Sequence, residues 1–262
     1  MLYIIQTALQ LGCVYSFVAL ALFLSYRILD IADLTTDGCF VLGMAVSVSC
    51  CAGGHPFAGV ILGMIAGGCA GCVTAVLQTQ LGVPSILAGI VTNTGLYTIN
   101  LMAMGWSSNI SLLKNETIFS LFKKTNIGGA WNAIILAGMI ALCAMVLMKW
   151  FLSTRLGLSI RATGDNRDMV SASSINPRFT ILVGLVVANM FTGLSGALAG
   201  QLQKSADINA GSGIVTIGLA TLIIGETLIQ GRKSIGRNIC ACLVGNIVYR
   251  CIYAFVLQTH II

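Results

Sequence analysis

Charge is what this sequence has least of. Its 262 residues include fourteen Lys and Arg and eight Asp and Glu, 8% together, against about 25% in an ordinary soluble domain. Hydrophobic residues make up 57% and the mean hydropathy is +0.94. Such a chain cannot clothe a water-facing surface, which excludes a soluble enzyme and points to an integral membrane protein. Histidine is almost missing: His55 and His260, both near predicted span ends, give no expectation of a metal site. The G-x-x-x-x-G-K-[ST] loop that cradles nucleotide phosphates does not occur. ATP, if it drives this protein, is therefore expected on a separate chain. Proline appears only at positions 56, 84 and 177, each at the start of a predicted helix, where its missing N–H has no partner to lose. No basic n-region or small-residue cleavage site marks the first apolar run, which reads as a retained span. The net charge of +6 then concerns topology and anionic lipid, not nucleic acid.

What is present is a series of apolar runs. A helix needs about 20 such residues to cross a bilayer, and about eight candidates occur: 3–24, 38–51, 57–77, 85–104, 131–151, 179–202, 214–229 and 238–257. The predicted fold class is all-α, a polytopic membrane protein of about eight transmembrane helices with room for broken or re-entrant segments. The second run is short unless it begins near Ile28, and its polar first half predicts partial unwinding. In the third, Gly59, Gly63, Gly67 and Gly71 recur every four residues. That smooth ridge places the helix inside the bundle, away from lipid. No soluble stretch is long enough for a second domain, so 1–262 reads as one transmembrane domain. Ten cysteines sit almost wholly in apolar runs and read as small packing residues, including the CxxC-spaced Cys69 and Cys72.

Polar groups at membrane depth are the candidates for function. Asn93, Tyr97 and Asn100, spaced by four and three, share one helical face. They and Asn189 are candidate lining of a translocation path, with interhelical hydrogen bonding the competing reading. Asp33 and Asp37 belong to an acidic cluster with Asp30; both are candidates for the path, though Asp37 also suits the cap of the second span. Glu226 is expected to pair locally with Arg232 and Lys233, and Arg250 to snorkel outward.

The stretch 149–178, KWFLSTRLGLSIRATGDNRDMVSASSINPR, carries five basic residues against two acidic ones between two spans. Basic loops mark the cytoplasmic side, and eight spans with both ends outside place nine of the fourteen Lys and Arg there. Gly164-Asp165-Asn166 reads as a turn and 167–174 as a short helix, then Asn176-Pro177 as an N-cap with proline at the first helical position.

Two stretches carry a resemblance: LSYRILDIADLTTDGCFVLGMAV (24–46) and RATGDNRDMVSASSINPRFTILVGLVVANMFTGLSGALAG (161–200). Over almost its whole length the chain resembles the permease subunit of ABC importers, in the superfamily of branched-chain amino-acid and ribose permeases. The D-L-T-T-D-G segment is similar to an uncharacterised or tryptophan-type branch. Ser174 stands where that family commonly has glycine. The resemblance implies a permease that pairs with a second copy, two cytoplasmic ATP-binding-cassette ATPases that hold the ATP, and a substrate-binding lipoprotein outside. It implies a cytoplasmic-membrane location, no enzymatic role for this chain and no cofactor of its own. The solute would be small and polar, an aromatic amino acid favoured. The ATPase would couple through a cytoplasmic loop at about 152–178, by way of Arg161, Gly164, Asp165, Asn166, Arg167, Asp168, Ser171 and Ser174. A secondary transporter driven by an ion gradient is the alternative, and it would need an intramembrane carboxylate.

Overall fold

The computed structural model describes residues 2–113, 115–124, 131–173, 175–229 and 234–258. Helix α1 (Leu2–Leu22) runs on into a π-helical turn (Phe23–Ile28), and an irregular segment follows. Then come α2 (Thr36–Ala52), α3 (Pro56–Thr79), α4 (Ser85–Ala103) and strand β1 (Asn109–Ser111). The chain continues through α5 (Ile118–Lys124), α6 (Asn132–Ser153), α7 (Arg155–Asp165), α8 (Arg167–Ala172) and α9 (Pro177–Gln203). Strand β2 (Ser205–Asp207) pairs antiparallel with β1, and α10 (Ile214–Ile229) and α11 (Ile235–Gln258) finish the order. Among the described residues six helical stretches are long and apolar enough to cross a membrane, and α2 and α10 are shorter apolar helices. The all-α polytopic class is as expected, and α2 and α10 are too short to cross a bilayer unaided.

The starts of the helices follow their sequence. Pro56 and Pro177 stand in first turns, and the Asn176 side chain accepts the Arg178 N–H at 3.0 Å. Thr154 and Asn166 cap α7 and α8 by accepting the N–H groups of Gly157 and Met169. The predicted turn over 164–166 contracts to Asn166: Gly164 and Asp165 finish α7, and a whole extra helix precedes the short one foreseen. Capping by Asn166 is local and strong enough to break the chain at one residue, so no wider turn is needed.

Helices α2, α3 and α9 make the densest packing, and glycine makes it possible. A methyl on Gly43 would lie 2.7 Å from Gly193 Cα, and one on Gly63 would lie 2.8 Å from the Gly43 carbonyl oxygen. Three backbones therefore touch directly, which is how helices gain dispersion contact where lipid offers no hydrophobic drive. Large side chains go the other way: Ile61, Leu62 and Ile65 of α3 are exposed. The glycine spacing of α3 does mark a face packed inside the bundle, against α2 and α9. Its glycine face is buried, and its bulky face is not.

A buried polar lattice ties the same helices. Gln201, fully buried, donates to Ser47 Oγ at 2.9 Å and to the Pro56 carbonyl at 2.8 Å, and accepts the Ile118 N–H at 3.0 Å. Asp33 accepts the Thr35 N–H at 2.9 Å and an Asn189 Nδ2–H at 2.7 Å. Asn189 lies twelve residues beyond Pro177, about 18 Å along α9 at 1.5 Å per residue. That bond fixes the start of α2 near the middle of the bundle. From there α2 rises toward the end that carries the β1–β2 ribbon, where Ser47 meets Gln201.

Candidate functional site

Helix α10 starts at the same depth as α2 and runs to the opposite end. Asp37, in the first turn of α2, accepts the Val215 N–H at 2.9 Å in the first turn of α10. Both helices thus present their N-termini at one level inside the bundle, with the Asp37 carboxylate bridging them. A helix N-terminus carries about half a positive charge; Asp37 faces both such ends, and Asp33 adds a second carboxylate at the α2 end. Sequence alone assigns Asp37 to the start of α2. The carboxylate instead crosses to α10: Thr35 occupies the N-cap position with its hydroxyl turned to that of Thr74 at 2.8 Å, and Asp33 takes the Thr35 N–H. At the far end of α10, Glu226 pairs with Arg27 of the π-helical turn at 3.0 Å. Arg232 and Lys233, its expected partners, lie outside the described residues.

Beside Asp37 is a cavity of about 370 Å³. Its walls come from α2, from Asn93, Thr94, Tyr97 and Asn100 of α4, and from the turn 208–212. The 4-3 spacing of Asn93, Tyr97 and Asn100 does place them on one wall. Gly38 lets α4 approach: a methyl there would be 3.0 Å from Leu96 and would overlap Asn93 Oδ1. Asn100 is buried, donates to the Gly38 carbonyl at 3.2 Å, and leaves its own Oδ1 without a partner. Thr94 and Tyr97 are exposed and belong to a helix otherwise lined with Ile and Leu. Asp33 and Asn189 stand apart from this wall: they bond to each other in the packed interior between α2, α3 and α9. Sequence reasoning missed Gly38 and the whole 208–212 wall. That polar turn reads as an ordinary loop, and only its Gly211-x-Gly213 pair hints at close backbone approach.

At the other end, α7 lies against the bundle through Ile160 and Thr163, whose hydroxyl is 2.7 Å from that of Thr180. Gly164 sits on the backbone of Ile28, where a methyl would be 2.8 Å from the Ile28 carbonyl carbon. Arg161 is half-buried, whereas Asp165, Asn166, Arg167, Asp168 and Ser171 are exposed. Helix α8 rests on the buried Val170 alone and offers Arg167, Asp168 and Met169 to the outside. Ser174 lies outside the described residues. Among the described residues no cluster of His, Cys, Asp or Glu could hold a metal.

Arg250 corrects a further expectation. It does not reach outward. Its guanidinium stacks on the Tyr15 ring at 3.8 Å, and its Nε is buried without a hydrogen-bond partner.

Residues 4–260 match the family described as branched-chain amino acid transport system / permease component. The chain belongs to that family. The permease is 32% identical over 238 residues to the tyrosine transport system permease protein of Clostridioides difficile, covering 90% of this chain and 77% of the relative. It is 32% identical over 252 residues to an uncharacterised protein of Rickettsia prowazekii, covering 94% and 86%. It is 30% identical over 220 residues to the D-allose transport system permease protein of Escherichia coli, covering 82% and 64%. No solved structure gave a significant match. The chain is therefore an ABC transporter permease subunit, a multi-pass protein of the cytoplasmic membrane and not an enzyme. Its family implies an ATPase and a substrate-binding partner. Membership leaves the ion-gradient alternative without support.

Proposed function

We propose that this permease forms the path of an importer for an amino acid, with an aromatic one favoured. The carrying observation is the cavity at the meeting of two short helices. Irregular backbone and helix N-termini at membrane depth recur where a solute or water is held. An exposed α4 face bearing Thr94 and Tyr97 suits a wet path shared with a second copy of the chain better than it suits lipid. The tyrosine permease relative supports an aromatic solute.

A cytoplasmic ATPase docks on α7 and α8, with Arg161, Gly164, Asp165, Asn166, Arg167, Asp168, Ser171 and Ser174 in or beside the contact. The contact of Gly164 with Ile28 hands its movement to the irregular segment that holds Asp33 and leads into α2 at Asp37. A lipoprotein delivers the solute at the β1–β2 end, and two permease copies enclose the path.

The test is reconstitution of the complex recovered with the tagged chain, followed by ATP-dependent uptake of labelled tyrosine and tryptophan. Uptake of neither, with an ATPase and binding protein present, rejects the substrate class. Intact ATPase association after Arg167→Glu with Asp168→Arg rejects the coupling assignment.

A further inference from the structure

The cavity wall is short of cations and rich in acceptors. None of its lining residues is Lys, Arg or His. Asp37 accepts the Val215 N–H at 2.9 Å and also faces the Ile214 and Gly213 amides; a carboxylate has about four lone-pair sites, so one remains for a ligand. Asn100 has its Nδ2 committed to the Gly38 carbonyl, so its Oδ1 is an acceptor with no partner, at 2% exposure. Gly38 holds Asn93 Oδ1 close by, where any side chain at that position would collide with it. A buried acceptor left unsatisfied is unfavourable, and a polar group that fills the cavity would remove that deficit.

We propose that Asp37, Asn93 and Asn100 form an ammonium subsite that binds the protonated amine of the transported solute. This rests on the reading of the cavity as part of the path and adds the recognition chemistry. A primary ammonium has three donors and one charge, which matches one carboxylate and two amide oxygens. The helix N-termini beside them carry a combined charge of about +1, set against Asp37 and against Asp33, which takes the Thr35 N–H at the α2 end. With both carboxylates in place the site favours a cation. Without the Asp37 charge that preference is lost and the helix ends can meet a carboxylate. Asp37 therefore selects between an amino acid and its deaminated acid.

The experiment measures equilibrium binding to the purified permease–ATPase complex in nanodiscs, with no binding protein present. The probes are L-tyrosine, tyramine, 3-(4-hydroxyphenyl)propionate and L-leucine. The native complex should bind tyrosine and tyramine about tenfold or more tightly than the propionate, a difference of about 1.4 kcal/mol or more. Asp37→Asn, which keeps an oxygen for the Val215 N–H, should lose about tenfold for tyrosine and gain for the propionate. Equal binding of the propionate by the native complex overturns the subsite, and so does unchanged selectivity in the variant or no binding of any amine. The ligand series on the native complex decides the matter even if the variant misfolds. Leucine binding as tightly as tyrosine, and losing affinity in Asp37→Asn, keeps the ammonium subsite and rejects the aromatic preference.

Discussion

The bond between Asp33 and Asn189 makes a quantitative prediction. Asp33 is 2% exposed and its carboxylate has two neutral donors, the Thr35 N–H and Asn189 Nδ2. Asn189→Leu keeps the branched shape but leaves one carboxylate oxygen buried without a donor. A hydrogen bond to a charged group contributes about 1.5–3 kcal/mol, and Asn189 also donates to the Leu185 carbonyl at 3.1 Å. Its loss should destabilise the permease by about 3 kcal/mol. Asp33→Asn should be milder. Asn189 Oδ1 has no partner, so the Asn189 amide can turn over and accept from the amide introduced at position 33. Only the Leu185 bond is given up, at about 1 kcal/mol. With no charge left to strand, Asp33→Asn together with Asn189→Leu should cost less than the sum of the two, by about 1–2 kcal/mol. Reversible unfolding in mixed micelles, run as a double-mutant cycle, measures all three. Additive effects, or an Asn189→Leu penalty no larger than that of Asp33→Asn, would refute the placement of a carboxylate that depends on Asn189.

Gly43→Ala should destabilise by about 1–3 kcal/mol through overpacking against Gly193, whereas Gly138→Ala, with nothing within 4 Å, should be neutral or gain up to about 1 kcal/mol of helix propensity; melting in detergent compares them. Gly164→Val should leave the ATPase bound but abolish solute-dependent ATP hydrolysis, because the side chain would force α7 off Ile28; full coupling in that variant would refute the relay. Arg250→Met and Tyr15→Leu should each lower the melting temperature, and the pair should be less than additive by about 0.5–2 kcal/mol, the size of the cation–π contact.

The membrane class and the helices follow from hydropathy, because bilayer thickness sets their length directly. The weakness of the second span was legible too: Asp30, Asp33 and Asp37 cannot all sit in a lipid-facing helix. The matching dip before α10 was not. Its residues are polar enough for a surface loop, and they enter the bundle only because Gly211 packs on the α2 backbone at Asp37, a contact distant in sequence. Helical period alone groups Asn93, Tyr97 and Asn100 on one face, since it needs no tertiary information. It cannot separate Asn189 from them, because a buried Asn bonded to Asp33 and an Asn beside a cavity look alike in sequence. Glu226 reads as a partner of its near neighbours for the same reason, while its described partner Arg27 arrives from another helix.

The glycine meeting of α2, α3 and α9 also governs how the protein can change by mutation. In a core of leucines, an oversized replacement can be rescued by trimming whatever it strikes. Here the struck residue is another glycine, Gly193 opposite Gly43 and Gly43 opposite Gly63, and there is no smaller residue to substitute. Compensating changes across the contact are therefore closed, and a selection for revertants of Gly43→Ala should return glycine at that codon or changes remote from it.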